Sequence, residues 1–286
     1  MTVVVESPSE LFERCEAVRR SGGRVGFVPT MGALHDGHVS LVRAAAQHGA
    51  SFRVLSIFVN PLQFGPNEDF GRYPRTWDRD LTRCREAGVD LVYAPSREIM
   101  YPPGFASHVE VSGVTAGFDG AFRPGHFRGV TTVVLKLWNA VGPCVALFGR
   151  KDYQQWRVLS RLALDLNLPI EVVGADIVRE PDGLAMSSRN RYLDPRGRSR
   201  ALAIVQGLRA AHDAYGLGER DPGRLVLLVR GPVEGAFDRI DYVAAAHPET
   251  LEPVSSRGEP VVLLVAAYLG STRLIDNIEL GRDGRP

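Results

Sequence analysis

Val25-Gly-Phe-Val-Pro-Thr-Met-Gly-Ala-Leu-His-Asp-Gly-His38 is the stretch on which the reading of this chain turns. An apolar, strand-like run from Val25 to Val28 breaks at Pro29, and a helical pattern takes over from His38 to Gln47. Strand, glycine-containing turn and helix start in succession make an anion site in physical terms. Unpaired backbone N–H groups and the positive end of the helix dipole face whatever binds there. His35 and His38 add side-chain donors, and Gly32 and Gly37 allow the backbone to come close. The combination suits a nucleotide whose phosphates gain charge during transfer. Two other readings stand beside it: a zinc half-site and a purely structural histidine pair. Zinc-binding helices space their histidines four apart with a Glu beside the first. Here the spacing is three, with a glycine between and no cluster of further ligands.

Working outward, apolar runs alternate with helical patterns up to about residue 176. Candidate strands are 24–29, 51–58, 91–94, 145–148 and 171–174, and candidate helices are 9–20, 38–47, 76–86, 130–140 and 152–166. Continuous Val/Ile/Leu/Phe strands separated by helices predict a parallel sheet covered on both faces, a Rossmann-like doubly wound α/β domain over 1–176. Such sheets bind ligands at the carboxyl ends of their strands. The polar sets Thr30–His38, Asn60–Gln63 and Gly149–Asp152 follow such ends, and Met186–Arg189 comes after a longer interval. From 177 to 286 the texture changes to a helix over 194–215 and strands over 240–246, 261–269 and 273–278. The Gly/Pro-rich stretches 216–223 and 231–235 read as loops or turns. This half reads as a smaller α+β domain.

Composition narrows the function classes. The chain has 286 residues, 44% of them apolar, and a formal net charge of +1. That balance gives no electrostatic basis for a nucleic-acid surface. No run of about 18 apolar residues suggests a membrane span, and the amino-terminal stretch lacks the pattern of a secretory signal. Three scattered cysteines, Cys15, Cys84 and Cys144, show neither disulfide nor metal spacing and fit a cytoplasmic setting. Of 34 basic residues only Lys136 and Lys151 are lysine. A lysine in so arginine-rich a chain marks a position that wants a compact point charge, unless it survives by chance.

Each polar set has a functional and a plain reading. Asn60 and Gln63 offer neutral donors and acceptors to a hydroxyl or carbonyl, or else form an Asn-Pro turn. Lys151 at a helix start opposes the helix dipole, a cost that a bound anion offsets. Asp152 is an N-cap or a ribose contact. Ser187, Ser188 and Arg189 form an anion clamp or a solvated linker. Arg123, His126 and Arg128 steer an anion or line a basic loop.

Taken together, Pro29–His38, Phe58–Phe64, Tyr73–Thr76, Arg123–Phe127, Lys151–Gln155 and Asp182–Asn190 resemble the pantoate–β-alanine ligase family, within the nucleotidyltransferases that carry His-x-Gly-His. Gly270–Asn277 resembles that family's C-terminal signature. The resemblance runs in order over nearly the whole chain, and Arg150 and Asp119 stand where the family usually has Glu. It implies a Rossmann-like domain with a small C-terminal lid, paired as a homodimer. It also implies an ATP-dependent ligase that uses magnesium held mainly by the phosphates rather than by a protein metal site. Pantoate is activated as pantoyl adenylate and β-alanine then takes the acyl group. The implied ATP site comprises Met31, Gly32, Ala33, Leu34, His35, Asp36, Gly37 and His38, Gly149, Arg150, Lys151 and Asp152, Val178, and Met186, Ser187, Ser188 and Arg189. His35, His38, Lys151, Ser187, Ser188 and Arg189 carry the catalytic roles. Gln63, Gln155, Asn60, Arg123 and Tyr73 are the implied contacts to pantoate and β-alanine. The partners implied are these small molecules, with no nucleic acid and no membrane. A nucleotidyltransferase and a non-catalytic nucleotide sensor are the competing readings; Asn60 and Gln63 argue against the first, and AMP formation would exclude the second.

Overall fold

In the computed structural model, which describes residues 2–66 and 68–286, the chain runs β1 (Val3–Val5), α1 (Pro8–Arg20), β2 (Val25–Thr30), α2 (Asp36–Gln47), β3 (Phe52–Ile57), α3 (Trp77–Glu86), β4 (Leu91–Tyr93), α4 (Arg97–Met100), α5 (Asp119–Phe122), α6 (His126–Val141), β5 (Cys144–Gly149), α7 (Tyr153–Asp165) and β6 (Ile170–Ala175). It continues with α8 (Pro195–Gly216), α9 (Pro222–Ala236), β7 (Arg239–Ala246), β8 (Val262–Leu269) and β9 (Thr272–Glu279). Two units divide this chain. The first comprises Met1–Thr115, Arg123–Arg150 and Gln155–Asp176; the second comprises Ala116–Phe122, Lys151–Gln154 and Ile177–Pro286.

The first unit is built on a six-stranded parallel sheet of order β1-β4-β3-β2-β5-β6. Phe27, Val28, Leu55, Leu91, Val92, Val145 and Leu147 are all but fully buried within it. Each such side chain contributes roughly 1.5–3 kcal/mol on leaving water, which is why the central strands β2, β4 and β5 read as largely apolar runs. The strand order reverses at β2, whose neighbours are β3 on one side and β5 on the other. Their carboxyl ends therefore open a crevice of the kind that receives ligands in doubly wound sheets. β2 itself runs past the apolar stretch, through Pro29 to Thr30, paired with Ser56 and Ile57 of β3. Helix α2 begins at Asp36, two residues before the apolar pattern, and α6 begins at His126, a turn before it. In α6 the Pro124–Gly125 turn, with Gly125 at φ 81°, launches the chain early.

In the second unit β7, β8 and β9 form an antiparallel sheet. Helices α8 and α9 supply Ile204, Leu208, Leu225, Val229 and Val233 to a core shared with Leu263, Val265, Leu274 and Ile278. Helix α9 corrects the expectation of a loop over 231–235. Asp221 caps it, Pro222 sits in its first turn, and Leu225, Val229 and Val233 make a fully buried stripe four residues apart. That stripe outweighs the poor helix propensity of Gly231, Pro232 and Gly235. Together the two units are an α/β domain with a parallel sheet and a smaller α+β domain.

One close approach in the first unit places a candidate site residue. Gly129 in α6 lies against the turn that holds Leu62 and Gln63. A Cβ there would collide with the Leu62 carbonyl and come within 2.6 Å of the Gln63 nitrogen. Gly129→Ala should therefore destabilise the protein by about 1–3 kcal/mol, although alanine favours a helix interior. A lower denaturant midpoint is expected; an unchanged or raised one would show that the turn yields freely.

Candidate active site

The loop leaving β2 is shaped by a residue that the sequence reading passed over. Gly32 and Ala33 both adopt left-handed backbone, at φ 80° and 51°. That conformation suits glycine and disfavours alanine. It is stabilised by Asp80 on α3, which is 1% exposed. Asp80 Oδ2 accepts from the Ala33 N–H at 2.9 Å, and Oδ1 accepts from the Leu34 N–H at 2.8 Å. Thr76 Oγ1 donates to the same carboxylate at 3.1 Å. Asp80 lies one helical turn beyond Thr76, the last residue of Tyr73–Thr76, and that offset was the only available hint.

This geometry revises the source of the anion site. The Gly32 N–H donates to Thr30 Oγ1 at 3.1 Å, and the His35 N–H donates to His38 Nδ1 at 3.2 Å. The amides of residues 32–35 thus all have acceptors within the protein. What the segment presents is the N-terminal end of α2, where the His38 N–H already donates to the His35 carbonyl at 2.8 Å, and the two imidazoles. Their ring centroids are 4.1 Å apart. Because His38 Nδ1 accepts from an N–H, the neutral ring carries its proton on Nε2 and presents a donor there. Asp36 does not oppose an incoming anion unshielded, since Arg83 Nη1 on α3 pairs with its carboxylate at 2.8 Å.

At the end of β3, Asn60 is 1% exposed. Its Oδ1 accepts from the Leu62 N–H at 3.2 Å and the Tyr101 hydroxyl at 2.7 Å. Its Nδ2 donates to Gln63 Oε1 at 3.0 Å and to the Gly129 carbonyl at 3.1 Å. All four hydrogen-bonding positions of this amide are occupied. Asn60, expected to touch substrate, here holds the half-buried Gln63, whose Nε2 lies 3.3 Å from Met31 Sδ.

Arg123 is likewise engaged within the protein. Its guanidinium holds Glu68 in a fork, at 2.6 Å and 2.7 Å. Burial pushes the Glu68 carboxyl up, but the hydrogen bonds and charge of Arg123 pull it below the usual glutamate range. Arg123 Nη1 also meets His126 Nε2 at 3.0 Å, while His126 Nδ1 meets the Gln63 carbonyl at 2.9 Å. These groups frame Gln63. Tyr73 is buried, edge-on to Phe64. Gln155 is half-buried on α7.

Gly149 closes β5, next to β2 in the sheet, so Gly149 and Arg150 emerge beside the 31–38 segment. Arg150 is buried, its guanidinium 5.6 Å from the Trp156 ring centroid and 3.5 Å from Asp176 Oδ1. Lys151 and Asp152 follow in the chain but belong to the second unit. Lys136, the other lysine, stacks over Phe105 at 5.1 Å, which accounts for it without a ligand.

In the second unit the 178–186 segment is a hairpin. The Met186 N–H donates to the Val178 carbonyl at 2.9 Å, so the predicted Val178 and Met186 do meet. Arg198 braces the turn by a fork on Asp182 and a bond to Glu180 at 2.8 Å. Ser187 Oγ accepts from the Arg189 N–H at 3.2 Å and starts the short turn that carries Ser188 and Arg189. Ser188 is buried and Arg189 half-buried. Among the described residues no group of three or more His, Cys, Asp or Glu side chains could hold a metal ion, which leaves the zinc reading of His35 and His38 without further ligands. No helix is long and apolar enough to cross a membrane among those residues.

A family model described as pantoate-beta-alanine ligase matches residues 3–279, across both units and well beyond the His-x-Gly-His segment. Pantothenate synthetase 1 from Bradyrhizobium diazoefficiens is 54% identical over 97% of this chain and 98% of that protein. The crystal structure of pantothenate synthetase from Thermus thermophilus superposes with a TM-score of 0.90 at 47% identity, covering 97% of this chain and 99% of the other. That of pantoate-beta-alanine ligase from Francisella tularensis, complexed with beta-gamma ATP and beta-alanine, gives a TM-score of 0.79 at 29% identity over the full length of both chains.

Asp80→Ala leaves the Ala33 and Leu34 amides without their acceptor, on the order of 1–3 kcal/mol each. It should lower the denaturation midpoint and reduce ligase turnover, with Asp80→Asn intermediate. Wild-type stability and turnover in Asp80→Ala would show that the left-handed loop holds its own shape.

Proposed function

Because the chain belongs to the pantoate–β-alanine ligase family, we infer that it condenses pantoate with β-alanine in an ATP-dependent reaction, and we propose which residues do the work. In the first step a carboxylate oxygen of pantoate attacks the α-phosphorus of ATP. The bond to the bridging oxygen breaks, and pyrophosphate leaves with that electron pair. In the second step the β-alanine amine attacks the acyl carbon, AMP departs with the acyl–oxygen electrons, and the nitrogen loses a proton.

Negative charge grows on the phosphate oxygens in the first step. Donors fixed where that charge develops lower the barrier more than donors that bind the ground state equally well. His38 fits this role. The observation that carries it is the His35 N–H to His38 Nδ1 bond, which fixes an Nε2 donor at the start of α2. His35 packs against that ring and assists at the same phosphates. Gln63, aimed by Asn60, takes a pantoate or β-alanine oxygen or amine, and Gln155 serves pantoate. Lys151 places a compact cation at the reacting phosphate. Val178, Met186, Ser187, Ser188 and Arg189 enclose the nucleotide, and Gly149, Arg150 and Asp152 complete its binding. An acyl adenylate hydrolyses in water, so enclosure protects it.

Magnesium would enter on the phosphates of ATP and neutralise part of their charge. A homodimer is part of the proposal on the strength of family membership alone. A cytoplasmic setting is supported by three free, buried cysteines.

Incubation with ATP, magnesium, pantoate and β-alanine should yield AMP and pantothenate; no AMP would overturn the assignment. His38→Ala should slow adenylate formation by about 10²–10³-fold in single-turnover measurements. An unchanged rate would reject the donor role. Lys151→Ala should lower kcat more than it raises the KM for ATP, since its contact strengthens as charge develops. A change confined to KM would mean that Lys151 only binds.

A further inference from the structure

The C-terminal signature Gly270–Asn277 forms most of β9, where Leu274 and Ile278 face the core beneath α8 and α9. Strand alternation sends Arg273, Asn277 and Glu279 to the opposite face, and each of them holds a piece of chain that the sequence brings from elsewhere. Asn277 Nδ2 donates to the backbone carbonyl of Lys151 at 3.0 Å. The Tyr153 hydroxyl lies 3.0 Å from Glu279 Oε2 and 3.1 Å from the Pro248 carbonyl. Arg273 Nη2 donates to Asp119 Oδ1 at 2.6 Å. The Asp119 N–H in turn donates to Gln154 Oε1 at 2.9 Å, and Gln154 Nε2 donates to the Gly117 carbonyl at 2.9 Å. Residues 151, 153 and 154 are thus fastened within the second unit.

Asn277 is itself placed with little freedom. It is 2% exposed, and its N–H donates to Asp276 Oδ1 at 2.8 Å. Arg179 clamps that Asp276 carboxylate from the other side with bonds of 2.7 and 3.0 Å. A flexible lysine stem reaches a fixed point only if its root is fixed. The bond from Asn277 is made to that root, the backbone of Lys151 itself.

We propose that Asn277 is a positioning residue for the ligase reaction, holding the Lys151 backbone through its carbonyl so that the ammonium meets the reacting phosphate. The proposal rests on the role given to Lys151 above. Its test is a double-mutant cycle in the full-length enzyme with Asn277→Asp, which keeps the shape but loses the donor, and Lys151→Ala. Asn277→Ser serves as the second variant should the aspartate prevent folding.

Asn277→Asp should slow adenylate formation on the order of 10–100-fold, with the KM for β-alanine within about twofold. Added to Lys151→Ala it should slow the reaction no further, because the group it positions is gone. Losses that multiply in the double variant would overturn the proposal and make Asn277 a general structural residue. So would wild-type turnover in both Asn277 variants beside a crippled Lys151→Ala. Wild-type turnover in Lys151→Ala would instead remove the role of Lys151, and with it the premise.

Discussion

A buried carboxylate holds the first unit's site in shape. Asp80 has left water for a place where both of its oxygens accept backbone N–H groups. Its burial is tolerable because those bonds replace its hydration. In return it stabilises two consecutive left-handed residues, one of them an alanine. The direction in which the chain enters α2 follows from that turn, and with it the placement of His35 and His38. The histidine pair is conspicuous in the sequence; the residue that orients it is not.

The same division between held and holding residues recurs around Gln63. Asn60 and Arg123 were expected to touch ligand, and both are committed to the protein: Asn60 to four partners, Arg123 to Glu68 and His126. Between them they fix Gln63, which keeps the adaptable amide. In the second unit a β-bulge between Ile240 and Tyr242 sets Asp241 outside the regular pairing. There Asp241 accepts from Arg273 Nε at 2.8 Å while Tyr242 donates to Asp119 at 2.8 Å. Burial, and then the nearby Asp119 charge, push the Tyr242 hydroxyl far above its usual value, so it remains a donor. Bulges often re-aim side chains beside functional sites in this way.

The parallel sheet was legible because its central strands β2, β4 and β5 are mostly buried and so are largely apolar. β1 was not, since three valines before a glutamate carry too little pattern. Helix α9 was hidden by Gly231, Pro232 and Gly235, where a stripe of Leu225, Val229 and Val233 packed on the core overrides local propensity. Among site residues, those with unusual chemistry in a turn were visible. The saturation of Asn60 was not, because Tyr101 and Gly129 are 41 and 69 residues away. Asp80 resembles any helical surface aspartate until the fold buries it. Nothing local marks 151–154 as kin to a strand more than a hundred residues later.

The chain passes between its two units at five points: after residues 115, 122, 150, 154 and 176. Recombination between relatives at a single cut near 176 would therefore mix parentage inside the C-terminal body, pairing one parent's β9 with the other's Lys151–Gln154 and Ala116–Phe122. Swapped halves would stay compatible only where the Asn277, Glu279 and Arg273 contacts find matching partners. Drift at these positions should accordingly be correlated, with the short inserted pieces and the terminal strand changing as one inherited block.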